Sequence, residues 1–127
     1  MRWQLEATEQ FERDAKRFAK KHGAEYLAVM ENLQKYLVSI EESSHPKLVQ
    51  FGFLHNEPKG IRAIDQAAGA LESGDRRCKL RQTRLYTYAN LEFKTLHLLC
   101  LGDKTTQTKD IRCAVSAVNL IRGASNG

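Results

Sequence analysis

A chain of 127 residues with 42% hydrophobic and 28% charged residues suits one globular domain, large enough to bury roughly two-thirds of its unfolded surface. Its net charge of +5 favours an acidic partner, nucleic acid first among them. No apolar run reaches the ~20 residues a membrane span needs, and Met1-Arg2-Trp3-Gln4 opens no signal-peptide pattern, so a cytoplasmic chain without a membrane partner is expected.

Arg2 to Ala7 alternates, with Trp3, Leu5 and Ala7 opposed to Arg2, Gln4 and Glu6, as a half-buried strand does. Thr8 can cap a helix with Glu9 and Glu12 in its first turn; Phe11, Ala15, Phe18 and Ala19 form its apolar stripe, and Lys20 and Lys21 precede Gly23. A second helix is predicted from about Ala24 to Glu42, with Leu27, Met30, Leu33, Leu37 and Ile40 as its core face. Ser43 to Lys59 reads as a loop closed by Pro58 and Gly60, within which Leu48 to Leu54 is either a short strand or a loop pinned by its aromatics.

Gly60 to Gln66 alternates as a strand, and Ala67 to Arg77, with Gly69 and Gly74, as a long exposed hairpin loop. Two strands follow, Lys79 to Ala89 and Phe93 to Leu101, joined by a tight turn around Asn90. The closing helix runs from Asp110 to Arg122 with Ile111, Ala114, Val115, Val118 and Ile121 inward, and a frayed tail from Gly123. The sum is a single α+β domain in which two N-terminal helices and a C-terminal helix lie against one face of a small, mainly antiparallel twisted sheet. Trp3, Leu5, Phe11, Phe18, Leu27, Met30, Leu33, Leu37, Leu85, Leu99, Leu101 and Val115 are its expected core.

Cys78, Cys100 and Cys113 make neither an even disulfide set nor a CxxC pair, which suits a reducing compartment. Cys100 and Cys113 read as packed thiols; Cys78, between Arg77 and Lys79, reads as a loop cysteine whose thiol those cations could activate. His22, His45, His55 and His97 lack metal-ligand spacing, so no metal is expected. If the last two strands pair, Arg81, Arg84 and Lys104 share one face or rim of the sheet, a cationic arrangement suited to a polyanion such as RNA. Each cation could equally be a solvated strand or turn residue paired with Glu92 or Asp103. Tyr86 and Tyr88 either stack on bases or face the helices.

From Gly60 to Ala114 the chain resembles the RelE/ParE toxin superfamily of bacterial type II toxin–antitoxin systems, particularly its RelE- and HigB-like members. The resemblance rests on Gly60-Ile61-Arg62, Thr83-Arg84-Leu85-Tyr86, Leu96-His97-Leu98-Leu99 through Gly102-Asp103-Lys104, and Asp110-Ile111-Arg112-Cys113-Ala114. It implies an endoribonuclease, or mRNA interferase, acting at the ribosome by attack of a ribose 2′-hydroxyl on the adjacent phosphate, without cofactor or metal, and held in check by a cognate antitoxin.

On that resemblance Arg62, Arg84 and Lys104 are the catalytic candidates, and Arg81, Tyr86, Gln107, Lys109 and Arg112 the RNA-binding ones. A departure is that Thr105 to Cys113 carries neither the tyrosine nor the histidine that several of these toxins hold there, and His97 reads as a core histidine. Two other classes therefore remain: a ParE-like poison of DNA gyrase, and a nucleic-acid-binding module without chemistry.

Overall fold

The computed structural model describes residues 2–67 and 82–126. Arg81, Cys78 and most of the loop expected over Ala67 to Arg77 lie outside the described residues. The elements are β1 (Gln4–Ala7), α1 (Glu9–Lys21), α2 (Gly23–Glu42), β2 (Leu54–Asn56), β3 (Ile61–Asp65), β4 (Thr83–Asn90), β5 (Thr95–Asp103) and α3 (Gln107–Asn126). They form one sheet in the order β1-β5-β4-β3-β2. Its β2–β3, β3–β4 and β4–β5 pairs are antiparallel, and β1 joins β5 in parallel.

Local chemistry explains most boundaries. The Thr8 hydroxyl accepts the Phe11 N–H at 3.0 Å, capping α1, and the first-turn Glu9 and Glu12 and last-turn Lys20 and Lys21 complement the helix dipole. The same hydroxyl donates to the Leu99 carbonyl at 2.7 Å, and the buried Asp14 carboxylate accepts the Leu101 N–H at 3.0 Å. So α1 closes the stretch of β5 that the shorter β1 leaves unpaired. The sequence over Ser43 to Lys59 contributes only the three-residue β2 and two 3-10 turns. Lys59 and Gly60, at φ +63° and +79°, are both left-handed and swing the chain into β3.

The helices do not share one face, as the sequence suggested. Trp3, Phe11, Phe18, Val29, Leu33, Ile40, Ile64, Leu85, Leu96 and Leu101 pack between the sheet and the α1–α2 hairpin. Ile61, Ala63, Tyr86, Leu99, Cys100, Ala114 and Val118 form a separate cluster, which joins α3 to the alternate strand positions. Because successive strand residues point to opposite faces, α3 covers the other side.

The buried line of α2 is also turned from the expected one. Leu27 is 62% exposed, Met30 and Leu37 are half-buried, and Ala28, Val29, Asn32, Leu33, Tyr36 and Ile40 face inward. Asn32 belongs there because its amide donates to the carbonyls of Asp65 and Ala67, both at 2.9 Å. An apolar periodicity cannot register a buried polar anchor of this kind. Leu5, on the edge strand, is 46% exposed, and Val115 is half-buried; the other expected core residues are buried. The last helix passes Gly123 and runs on to Asn126.

Candidate functional site

One rung of the sheet carries the chemistry. Asp65 of β3 pairs with Arg84 of β4, and Arg84 pairs with Gly102 of β5, so the three lie side by side at inter-strand spacings of about 4.8 Å on the α3 face. The Asp110 carboxyl occupies the space above Gly102: a Cβ there would fall 1.8 Å from Asp110 Oδ2 and 2.7 Å from Thr106 Oγ1. Only glycine lets α3 set a carboxyl on this rung. Thr106 Oγ1 donates to that carboxyl at 2.6 Å. At the other end Asp65 Oδ2 meets His55 Nε2 at 2.6 Å. The sequence of groups is imidazole, carboxylate, guanidinium, carboxyl.

The path of α3 decides what stays open. It crosses from Gly102 to the start of β3, where Arg122 donates to the Tyr88 hydroxyl at 3.2 Å and the Lys59 carbonyl at 3.3 Å. Its packed cluster takes in Ile61 and Ala63, and Asp65 lies one rung beyond. Arg84 is half-buried and forms no ion pair among the described residues, while its charge reaches the Tyr86 phenol. On the far side of the α3 start, a cleft of 360 Å³ runs between α1 and α3, lined by Arg17, Lys21, His22, Asp103, Lys109 and Asp110 among others.

Burial raises the Asp110 carboxyl above the ordinary carboxylate range; the Thr106 hydroxyl opposes this, and the Asp14 and Asp103 carboxylates add to it. A raised folded-state value means the folded protein holds this proton more tightly, so the associated stability is present in acid and lost as pH rises through that value. Asp110→Asn, fixed in the uncharged form, is therefore expected to melt above the wild type at neutral pH. The gap should close below the ordinary carboxylate range, as thermal melts across pH would show.

The residues expected from sequence separate into three groups. Arg84 sits at the centre of the rung, and the exposed Lys104 follows β5 in the adjoining turn, its backbone N–H donating to the Gln82 carbonyl at 3.1 Å. Gln107, half-buried, and Lys109 and Arg112, exposed, belong to the first turns of α3.

Arg62 must be corrected. It pairs with Thr87 and points to the opposite face, 8% exposed, where its Nη1 donates to the carbonyls of Val49 (2.7 Å) and Pro46 (3.2 Å) beneath the Tyr36 ring. Tyr86 is likewise corrected as a stacking platform: at 1% exposure under α3 its ring offers no face to a base, and burial pushes its phenol well up. Arg81 lies outside the described residues.

The sequence did not single out His55 or Asp65, which the structure brings together. The alternation of Ile61, Ala63 and Asp65 placed Asp65 on a defined face, but nothing in the sequence aligned His55 with it. His97 is the core histidine expected: its side chain is 13% exposed, and burial lowers its pKa, with Glu6 acting against that. Among the described residues, no group of three His, Cys, Asp or Glu is placed to hold a metal ion, and no helix is long and apolar enough to cross a membrane.

This five-stranded mixed sheet, with a helical hairpin on one face and a closing helix on the other, has the fold of a solved structure of RelE. That structure is of the E. coli toxin RelE, a double arginine mutant in the free state, and is similar to this chain with TM-score 0.53 and 19% sequence identity, 93% of this chain and 99% of that one being covered. No family model and no curated protein sequence matches the chain.

Proposed function

We propose that this chain is the HigB-like toxin of a toxin–antitoxin pair, and that it cleaves messenger RNA at the ribosome in the cytoplasm without a metal. The observation that carries the proposal is Arg84, a cation without an ion-pair partner among the described residues, held on a rigid sheet rung at the open border of α3. A guanidinium so placed can donate two parallel hydrogen bonds to a phosphate and stabilise the charge that develops as the 2′-hydroxyl attacks. Lys104 in the adjoining turn would hold the next phosphate, and Lys109, Arg112 and Gln107 would carry the strand over the start of α3. Arg81 precedes β4 in sequence and joins them on its charge alone. The cognate antitoxin would neutralise this surface by charge complementarity and apolar burial.

The test is expression of the chain without antitoxin, scoring growth and mapping message 5′ ends on translating ribosomes. Growth arrest with new 5′ ends is the expected result, and Lys20→Ala, on the outer side of α1, should behave as wild type. Arrest with trapped gyrase–DNA complexes and no new ends would move the chain to the gyrase poisons. No arrest and no cleavage would leave a binding module.

A further inference from the structure

We propose that His55 is the general base of this reaction, oriented by Asp65 beside Arg84; the proposal rests on the ribonuclease function proposed above. An ionised carboxylate only accepts hydrogen bonds, so in the neutral imidazole the 2.6 Å contact between Asp65 Oδ2 and His55 Nε2 selects the tautomer with its proton on Nε2 and its lone pair on Nδ1. Asp65 is itself held. Its Oδ1 accepts the Ala67 N–H at 2.7 Å, and its carbonyl accepts from the buried Asn32 amide. The His55 side chain is 34% exposed, enough to meet a substrate, while that of Asp65 is 12% exposed.

Register places the pair correctly for the chemistry. His55 pairs with Ala63, so its side chain shares the α3 face with Asp65 and Arg84, two strands over and two residues along, roughly 12 Å of backbone from the arginine. A phosphate gripped by Arg84 thus has the imidazole on its β2 side. In the step, Nδ1 takes the 2′-hydroxyl proton as the 2′-oxygen forms its bond to phosphorus. The bond from phosphorus to the 5′-oxygen breaks, and that oxygen leaves with a proton from solvent. The products are a 2′,3′-cyclic phosphate and a 5′-hydroxyl end. Among the described residues, the charged and titratable groups on the imidazole's side of the sheet are Asp65 on β3, Arg84 on β4 and Glu57 just past β2, whose charge reaches the Tyr86 phenol.

The experiment uses the full chain and measures single-turnover cleavage of message on translating ribosomes, across roughly pH 5 to 9. His55→Ala is expected to lose on the order of 10²–10⁴-fold in rate and the acidic limb of the wild-type profile, and to regain part of the rate with added imidazole. His55→Gln, which keeps a donor toward Asp65, should be as slow while melting and binding RNA as the wild type does. Asp65→Asn, a positioning change, should lose less and displace the acidic limb. If the wild type cuts and the His55 variants cut within about twofold of it with the same profile, His55 is not the base. If the wild type yields no new message ends, the ribonuclease function fails and this role with it.

Discussion

Arg84→Ala is expected to reduce message cleavage by about 10²–10³-fold, the effect of removing one preorganised donor worth roughly 2–4 kcal/mol to a charged transition state. Among the described residues, no other group on the rung can substitute. Asp65 stands on one side of Arg84, and Gly102, bearing the Asp110 carboxyl, on the other. Without the guanidinium the site presents two carboxyl groups to an anionic phosphate, and repulsion replaces attraction. Arg84→Lys should recover only part of the rate, because a lysine supplies the charge but not the planar fork. Cleavage rates compared at equal folded fraction test this, and an Arg84→Ala protein that cuts like the wild type would remove Arg84 from the mechanism.

Arg62→Ala should fail in the opposite way, by loosening the fold. Truncation removes the Arg62 donor from the Val49 carbonyl, takes one of two donors from the Pro46 carbonyl, which keeps the Val49 N–H, and empties the space beneath Tyr36. Lost charge-assisted hydrogen bonds and packing together should cost about 3 kcal/mol, which for a domain of this size lowers the melting temperature by roughly 10 °C. Cleavage per folded molecule should hold within about threefold of wild type, since Arg62 faces away from the rung. A thermal melt alongside an active-site titration separates the two quantities. An unchanged melt with lost cleavage would return Arg62 to the phosphate.

The elements were legible in the sequence because their signals are local. Thr8 caps α1 as its chemistry demands, and the alternation from Ile61 to Asp65 is the strand found. Arg84 stood out in the sequence through the run Thr83-Arg84-Leu85-Tyr86 that carries the resemblance, and β4 sets it on the rung. Arg62 carried the same signal and a different meaning, since the carbonyls that occupy it come from Pro46 and Val49, in a segment with no periodicity. The same holds for Asn32, which entered the core for the sake of two carbonyls more than thirty residues away. His55 was hidden for a further reason: its value depends on β2 pairing with β3 in one register, and a three-residue strand announces neither its existence nor its partner. Two-sided coverage of the sheet was equally illegible, because inward-facing positions on α3 look alike whichever face they meet.

The parallel pairing of β1 with β5 has a consequence for how the protein comes into being. Gln4 meets Thr95, and Ala7 meets Leu98, so β1 has no strand neighbour until β5 is in place. Contacts this distant in sequence form slowly and late, because the intervening chain must first be confined. The Asp65–Arg84–Gly102 rung is likewise incomplete until β5 is in place, and Asp110 follows only with α3. A nascent chain therefore lacks the assembled rung until both β5 and α3 have been made and docked.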